Sequence, residues 1–214
     1  MSLRFENPLS ATLHDVQKFR EYYKTPVHIQ KHIEMVRKIA VCVGKKLQNQ
    51  KIPVDLELIE NSALLHDVVK YVDFPEYTEK EKQRYEEEIT PEKLEIWKTT
   101  KQKFFTTDHG KAMSQILTTK TENFSGKFFA TARVVESHMT RRIFSDEPMT
   151  WEEKCVHYAD KRGLHDTFVT IQERLEDGKK RYAHEASPRL EKRVKALEES
   201  LENAGNFSGK TLKI

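Results

Sequence analysis

Ala63-Leu64-Leu65-His66-Asp67-Val68-Val69-Lys70 sets an imidazole, a carboxylate and an amine inside an otherwise apolar run. Read as a helix, the run places His66 and Lys70 one turn apart, with Asp67 beside both. Burying such a trio costs free energy unless its members find partners. A metal ion bound by His66 and Asp67 meets that need, with Lys70 held beside whatever anion the metal binds. A hydrogen-bonded core His with its Asp partner meets it too. The dipeptide alone does not choose, because His14-Asp15 and His165-Asp166 repeat it. The remaining histidines carry the decision.

Upstream, Thr25-Pro26 is a helix start, with Thr as N-cap and Pro at the first helical position. The helix that follows carries His28, His32, Val36, Ile39, Ala40, Val43 and Leu47 at helical period, so two imidazoles form the polar end of a buried stripe. Asp55 is the expected cap of the helix holding Leu58, Ile59, Ala63, His66, Asp67 and Lys70. Downstream, Asp108 or Thr107 caps a helix that opens with His109-Gly110 and continues through Ala112, Ile116 and Leu117. After a turn at 123–127, Phe128, Ala132, Val135 and His138 fall in register, with Arg141 and Arg142 one turn further on. Thr150-Trp151-Glu152-Glu153 is a capping box that opens a helix bearing Cys155, Ala159 and Asp160.

Four further segments complete the chain. Ser10 caps a first packing helix with Leu13, Val16, Phe19 and Tyr23 on one side. Residues 164–182 read as a helix striped by Phe168, Ile171 and Leu175. Ser187-Pro188 starts a last helix, with Leu190, Val194, Leu197 and Leu201 packing back on the domain, and 203–214 reads as a loose tail. Residues 73–105 differ in character, being rich in Glu and Lys, broken by Pro75 and restarted at Thr90-Pro91. They read as two solvated helices, a charged surface insertion or a lid.

The 214 residues suit one helical domain over 1–186, with 187–214 as a C-terminal helix and tail on or beside it. A hydrophobic fraction of 37% against 33% charged fits helices with solvated outer faces. No regular spacing of turn signals points to a sandwich or barrel. The formal charge of +3 tolerates an anionic substrate without making a nucleic-acid binder. Cys42 and Cys155 read as buried free thiols of a reducing compartment. The opening residues 1–6 lack the apolar core of a signal peptide, and no run is long enough to span a bilayer. A soluble cytoplasmic protein without a membrane partner is expected.

His32, His66, Asp67, His109, His138 and Asp160 then stand out, spread over five expected helices. A helix bundle can converge such residues in its core. Imidazole with carboxylate suits Mn, Fe, Co, Ni or Zn, and a ligand set without Cys argues against a structural zinc site. His28 and His157, each one turn before a candidate ligand, read as pocket wall or as outer partners. His14, His165 and His184 read as surface or packing residues.

The ordered set resembles the HD superfamily. His32-Ile-Glu-Met-Val36 through Ala40 is similar to its opening motif, Ala63 through Lys70 to its namesake motif, and Tyr158-Ala159-Asp160-Lys161 to its closing motif. His109-Gly110 and His138 fall in the order of the two extra histidines of dinuclear members. The resemblance implies an all-α bundle around a metal centre and a metal-dependent phosphohydrolase acting on a small, phosphate-containing, nucleotide-like substrate. It also implies one or two divalent ions, Mn, Fe, Co, Ni, Zn or Mg, with His32, His66, Asp67 and Asp160 as the basic site. His109 and His138 would hold a second ion, with Asp67 bridging. Lys70 would neutralise developing charge or protonate the leaving oxygen, and Arg141 or Arg142 would clamp a phosphate. His138-Met139 replaces the paired histidines of cyclic-dinucleotide phosphodiesterases, which argues against that branch. Two other readings use the same ligands: an HD-fold diiron oxygenase, and a non-catalytic nucleotide-binding module.

Overall fold

Helix α2 (Val27–Asn49) is the axis of the fold, its Ile29, Ile33, Val36, Ile39, Ala40, Val43 and Leu47 all buried along a length of about 35 Å. The computed structural model describes residues 13–74, 87, 89–104, 106–119, 128–181 and 187–214. Around α2 lie α1 (Leu13–Tyr22), α3 (Leu56–Leu65), α4 (Pro91–Phe104), α5 (His109–Thr118), α6 (Phe129–Ser137), α7 (Trp151–Asp160), α8 (Ile171–Arg181) and α9 (Pro188–Gly205). The strands among the described residues form one short antiparallel hairpin, β1 (Gly163–Leu164) with β2 (Thr167–Phe168). The fold class is all-α, as expected. Helices α3, α7 and α9 pack on α2, and α6 joins α5 to α3. None of the described helices is long and apolar enough to cross a membrane.

Local chemistry sets most helix starts. Asp55 accepts the Leu58 amide at 2.9 Å, Asp108 accepts that of Lys111 at 2.9 Å, and Thr150 and Glu153 form the reciprocal capping box. Each satisfies amide donors that a first turn leaves without partners. Thr25 behaves differently from expectation. The N-cap of α2 is Pro26, and the Thr25 hydroxyl donates to the Val68 carbonyl at 2.9 Å in the interior. The Val27 amide is met instead by the Glu87 carboxylate at 2.8 Å, a partner that no local pattern reveals.

The core is two apolar clusters. One gathers Phe19, Ile33, Leu65, Val68, Met113 and Val135; the other gathers Val36, Ile59, Ala63, Val134, Ala159 and Val194. His32 lies on α2 between Ile29 and Ile33 of the first cluster and Val36 of the second, and His66 follows the same passage from Ala63 to Leu65. The candidate ligands therefore form a polar seam between two dry regions.

Several expectations are corrected. The helix expected to carry Asp67 and Lys70 ends at Leu65, and Lys70–Asp73 is a separate 3₁₀ turn. The cause is the His66 ring, whose Nδ1 bonds the Ala63 carbonyl at 2.7 Å, the acceptor that the Asp67 amide would use in a continuing helix. The helix expected over 164–182 is the β1–β2 hairpin, turned by His165 at φ 55°, followed by α8; Ile171 and Leu175 are buried on it, while Phe168 sits on β2. His165 is exposed, as expected. The tail is not loose, because Leu212 is buried and Gly209 bonds Glu202 and Arg162. Helix α4 is not solvated all round either: Trp97 is buried, stacks on Tyr71 at 5.1 Å and donates to the Lys24 carbonyl. Cys155 is buried but Cys42 only partly so. Ser10, the side chain of His14, the first of the two helices expected within 73–105, the 123–127 turn and His184 lie outside the described residues.

Arg162 ties the C-terminal half together. It is 2% exposed and donates to the carbonyls of Val169 and Gly209, to Glu198 and to the Tyr158 hydroxyl. Arg162→Met keeps the aliphatic packing but leaves buried acceptors without a donor. Denaturant unfolding is expected to show a loss of about 3 kcal/mol.

Candidate metal centre

The six candidate ligands converge on one buried point. His32 comes from the second turn of α2; the other five sit at or just beyond helix ends. His66 is the C-cap of α3, His138 is the C-cap of α6, Asp160 is the last residue of α7, and His109 is the first of α5. Three helices thus aim their C-terminal ends at the seam, where their partial negative charge favours a cation. Gly163 makes room for the His32 ring, since a Cβ there would lie 3.3 Å from His32 Cε1 and 3.1 Å from Val36 Cγ2.

Hydrogen bonding assigns the histidine tautomers. His66 Nδ1 bonds the Ala63 carbonyl, His138 Nδ1 the Val135 carbonyl, and His109 Nδ1 the Asp73 carboxylate at 2.5 Å. All three partners are acceptors, so each Nδ1 carries the hydrogen and each Nε2 presents a lone pair. Those lone pairs meet other acceptors. His109 Nε2 lies 2.8 Å from His138 Nε2 and 2.8 Å from Asp67 Oδ1, and His138 Nε2 is 3.4 Å from the same oxygen. Across the carboxylate, Asp67 Oδ2 is 3.7 Å from both His32 Nε2 and His66 Nε2, while Asp160 Oδ1 is 3.2 Å and 3.9 Å from those nitrogens.

Two groups result, His32 with His66 and Asp160, and Asp67 with His109 and His138, each compact enough to surround one ion. Asp67 faces both, one oxygen to each. His66 Nε2 and Asp67 Oδ1 are buried without a hydrogen bond of acceptable geometry. Orphaned acceptors at the centre of an acceptor-only cluster fit a divalent cation and leave a purely hydrogen-bonded His–Asp pair unsupported.

The electrostatics favour ionised carboxylates at Asp67 and Asp160 and neutral rings at His66 and His138. Burial pushes the His66 pKa down to about 3 against the opposing pull of Asp67, and burial lowers His138 as well. Burial alone would raise Asp67, but Lys70, His66 and His109 hold it well below the usual carboxylate range; Lys161 and His32 do the same for Asp160. His109 is raised despite burial and Lys70, through Asp67 and Asp73.

Lys70 stands at the rim, 30% exposed, with Nζ 3.1 Å from His109 Nε2 and 3.8 Å from both Asp67 and Asp73. His28 is half-buried one turn before His32. His157 is fully buried, its Nδ1 bonding the Ser137 carbonyl at 3.0 Å. The arginine expectation is corrected. Met139, at ψ 140°, breaks the helix after His138, so Arg141 and Arg142 do not share its face. Arg142 is taken up by Glu153 and the carbonyls of Glu147 and Pro148; Arg141 bridges Asp108 and Glu136. Sequence reasoning missed Asp73 on His109 and Lys161 on Asp160, the latter at 2.9 Å. Asp73 is 36 positions from its partner, and no pattern pairs them; Lys161 was visible in the closing motif.

A family model described as HD domain matches residues 29–162, a span that contains all six candidate ligands. No curated protein and no solved structure matches the chain.

The buried histidines set an acid limit on the metal-free fold. Burial lowers both His66 and His157 to about 3 in the folded chain, against about 6.5 when unfolded. The unfolded state therefore binds more protons below pH ~6.5, and stability present above that value is lost as pH falls towards 3. Chelator-treated protein should lose about 1.4 kcal/mol per pH unit from each of the two between pH 6 and 4, followed by denaturant unfolding. His157→Leu is expected to make the slope shallower by that residue's share.

Proposed function

Because the chain belongs to the HD-domain family, whose members are mostly metal-dependent hydrolases, we propose that it hydrolyses a phosphomonoester or phosphodiester of a small nucleotide-like substrate. The observation that carries this reading is the division of Asp67: one oxygen faces His32 and His66, the other His109 and His138. A buried carboxylate so placed suits a bridge between two cations. Divalent ions held there supply Lewis acidity and lower the pKa of a water from ~15.7 towards ~7.

The remaining steps belong to the chain's own groups. His32, His66 and Asp160 fix one half of the site, and His109 and His138 the other. The tautomers set by Ala63, Val135 and Asp73 keep every Nε2 directed inward. Lys70 reaches the second half from the rim, where its ammonium steadies charge building on a phosphoryl oxygen or gives a proton to the leaving oxygen. Its place beside His109 and Asp67 supports anion chemistry over the diiron oxygenase alternative. His28 walls the approach to His32. Lys161, on the other oxygen of Asp160, is a second cation beside the candidate ligands.

The test is a panel of phosphomonoesters and phosphodiesters, with nucleotides among them, assayed with Mn, Co, Ni, Zn, Fe and Mg. Asp67→Ala is expected to lose bound metal and all measurable turnover while circular dichroism stays helical. Lys70→Ala is expected to keep metal and lower kcat by about 10²–10³-fold. An Asp67→Ala protein that retained both metal and turnover would overturn the assignment; tight nucleotide binding without turnover under any of these metals would replace it with a binding module.

A further inference from the structure

Asp73 holds one candidate ligand by two handles. Its Oδ1 accepts the His109 backbone amide at 2.8 Å, and its Oδ2 accepts the His109 ring hydrogen on Nδ1 at 2.5 Å. The other two histidines with assigned tautomers need no such help. His66 and His138 close helices, so the last-turn carbonyls of Ala63 and Val135 take their Nδ1 hydrogens. His109 opens α5, and a helix N-terminus offers amide donors where a C-terminus offers carbonyls. An acceptor for its Nδ1 must come from elsewhere in the chain, and Asp73 is that acceptor.

The two halves of the centre are unequal in donors. The first has His32, His66, Asp160 and one oxygen of Asp67; the second has His109, His138 and the other oxygen. With three protein donors, the second half cannot spare one. Resting on the dinuclear reading above, we propose that Asp73 is a positioning residue that fixes His109 as an Nε2 donor and so decides whether the chain holds one metal ion or two. Occupancy of the second half would thereby depend on a residue outside its own three donors.

Asp73→Asn separates this role from a packing role. The amide oxygen still accepts the His109 main-chain N–H, but the amide nitrogen donates to Nδ1 and moves the ring hydrogen to Nε2. Asp73→Ala leaves the ring free to choose. Calorimetric titration of chelator-treated protein with Mn²⁺, checked by metal content, is expected to give two ions in the wild type. Asp73→Asn is expected to keep the first ion and to bind the second about 10–100-fold more weakly, with Asp73→Ala between. Imidazole ¹⁵N shifts of the metal-free proteins, recorded at alkaline pH where the ring is neutral, should show the His109 hydrogen on Nδ1 in the wild type and on Nε2 in Asp73→Asn. Equal second-ion affinity in wild type and Asp73→Asn overturns the inference, as does hydrogen on Nε2 of wild-type His109, which can be read even where the variant fails to fold. A wild type that binds fewer than two ions overturns the dinuclear reading itself, and the occupancy role falls with it.

Discussion

A buried carboxylate ringed by imidazole nitrogens is costly to hold without a cation, and the rest of this structure is arranged around that constraint. Asp67 is 3% exposed, and its ionised carboxylate has Oδ1 2.8 Å from His109 Nε2 and 3.8 Å from the Lys70 ammonium. Water could not easily serve them: a single buried water donates two hydrogen bonds, and at least four acceptors converge here. The fold meets the demand partly by geometry. Helices α3, α6 and α7 end at the cluster, adding the field of their C-termini to the two carboxylates. The bonds that stop α3 and α6 are the same bonds that set the ring tautomers of His66 and His138. Helix termination and the inward aim of these two Nε2 atoms are therefore one feature of the sequence.

Such a centre also needs stiffness, and the apolar clusters on either side supply it. Long helix α2 runs through both and carries His32 at their junction. Thr25 joins the start of α2 to the Val68 carbonyl, one residue past Asp67. Gly110 packs so closely on Met139 that a Cβ would lie 2.5 Å from Met139 Cγ, which sets the His109 turn directly against the residue after His138. Arg141 reaches from that same turn region to Asp108, next to His109. Both halves of the centre are braced through neighbours of the ligands, and rotamers so held keep donor atoms within the tolerance that a metal requires.

How much of this the sequence discloses follows the range of the interactions. Caps are local, so Asp55, Asp108 and Thr150 with Glu153 were readable from a few residues. The helical period of α2 placed His32 inward, and the order of the other candidate ligands was enough to gather them. The end of α3 was not readable, because periodicity continues through Lys70 while the competition between the His66 ring and a main-chain amide for one carbonyl leaves no periodic trace. Longer links were hidden for a plainer reason. Glu87 on Val27, Asp73 on His109 and Arg162 on Gly209 each join segments that only the folded chain brings together. Spacing misled at Arg141 and Arg142, where one extended residue, Met139, turns both guanidiniums away from the face of His138.

Charge balance bears on what such a site accepts. Asp67, Asp73 and Asp160 bring three negative charges, and Lys70 and Lys161 return two positive ones, all within one connected set of contacts. With His66 and His138 neutral, as burial dictates, these five charges leave the cluster close to balance. Two divalent ions would leave it with a surplus of three positive charges in a low-dielectric seam. A surplus of that size is costly unless an anion shares it. A phosphate ester, with oxygens that can spread over both halves and meet Lys70 at the rim, offsets it; a neutral sugar or a single carboxylate does so less completely. On the proposed reading, substrate charge would be part of what makes the loaded centre stable, and the two lysines would set its preference for the phosphate end of a molecule over the remainder.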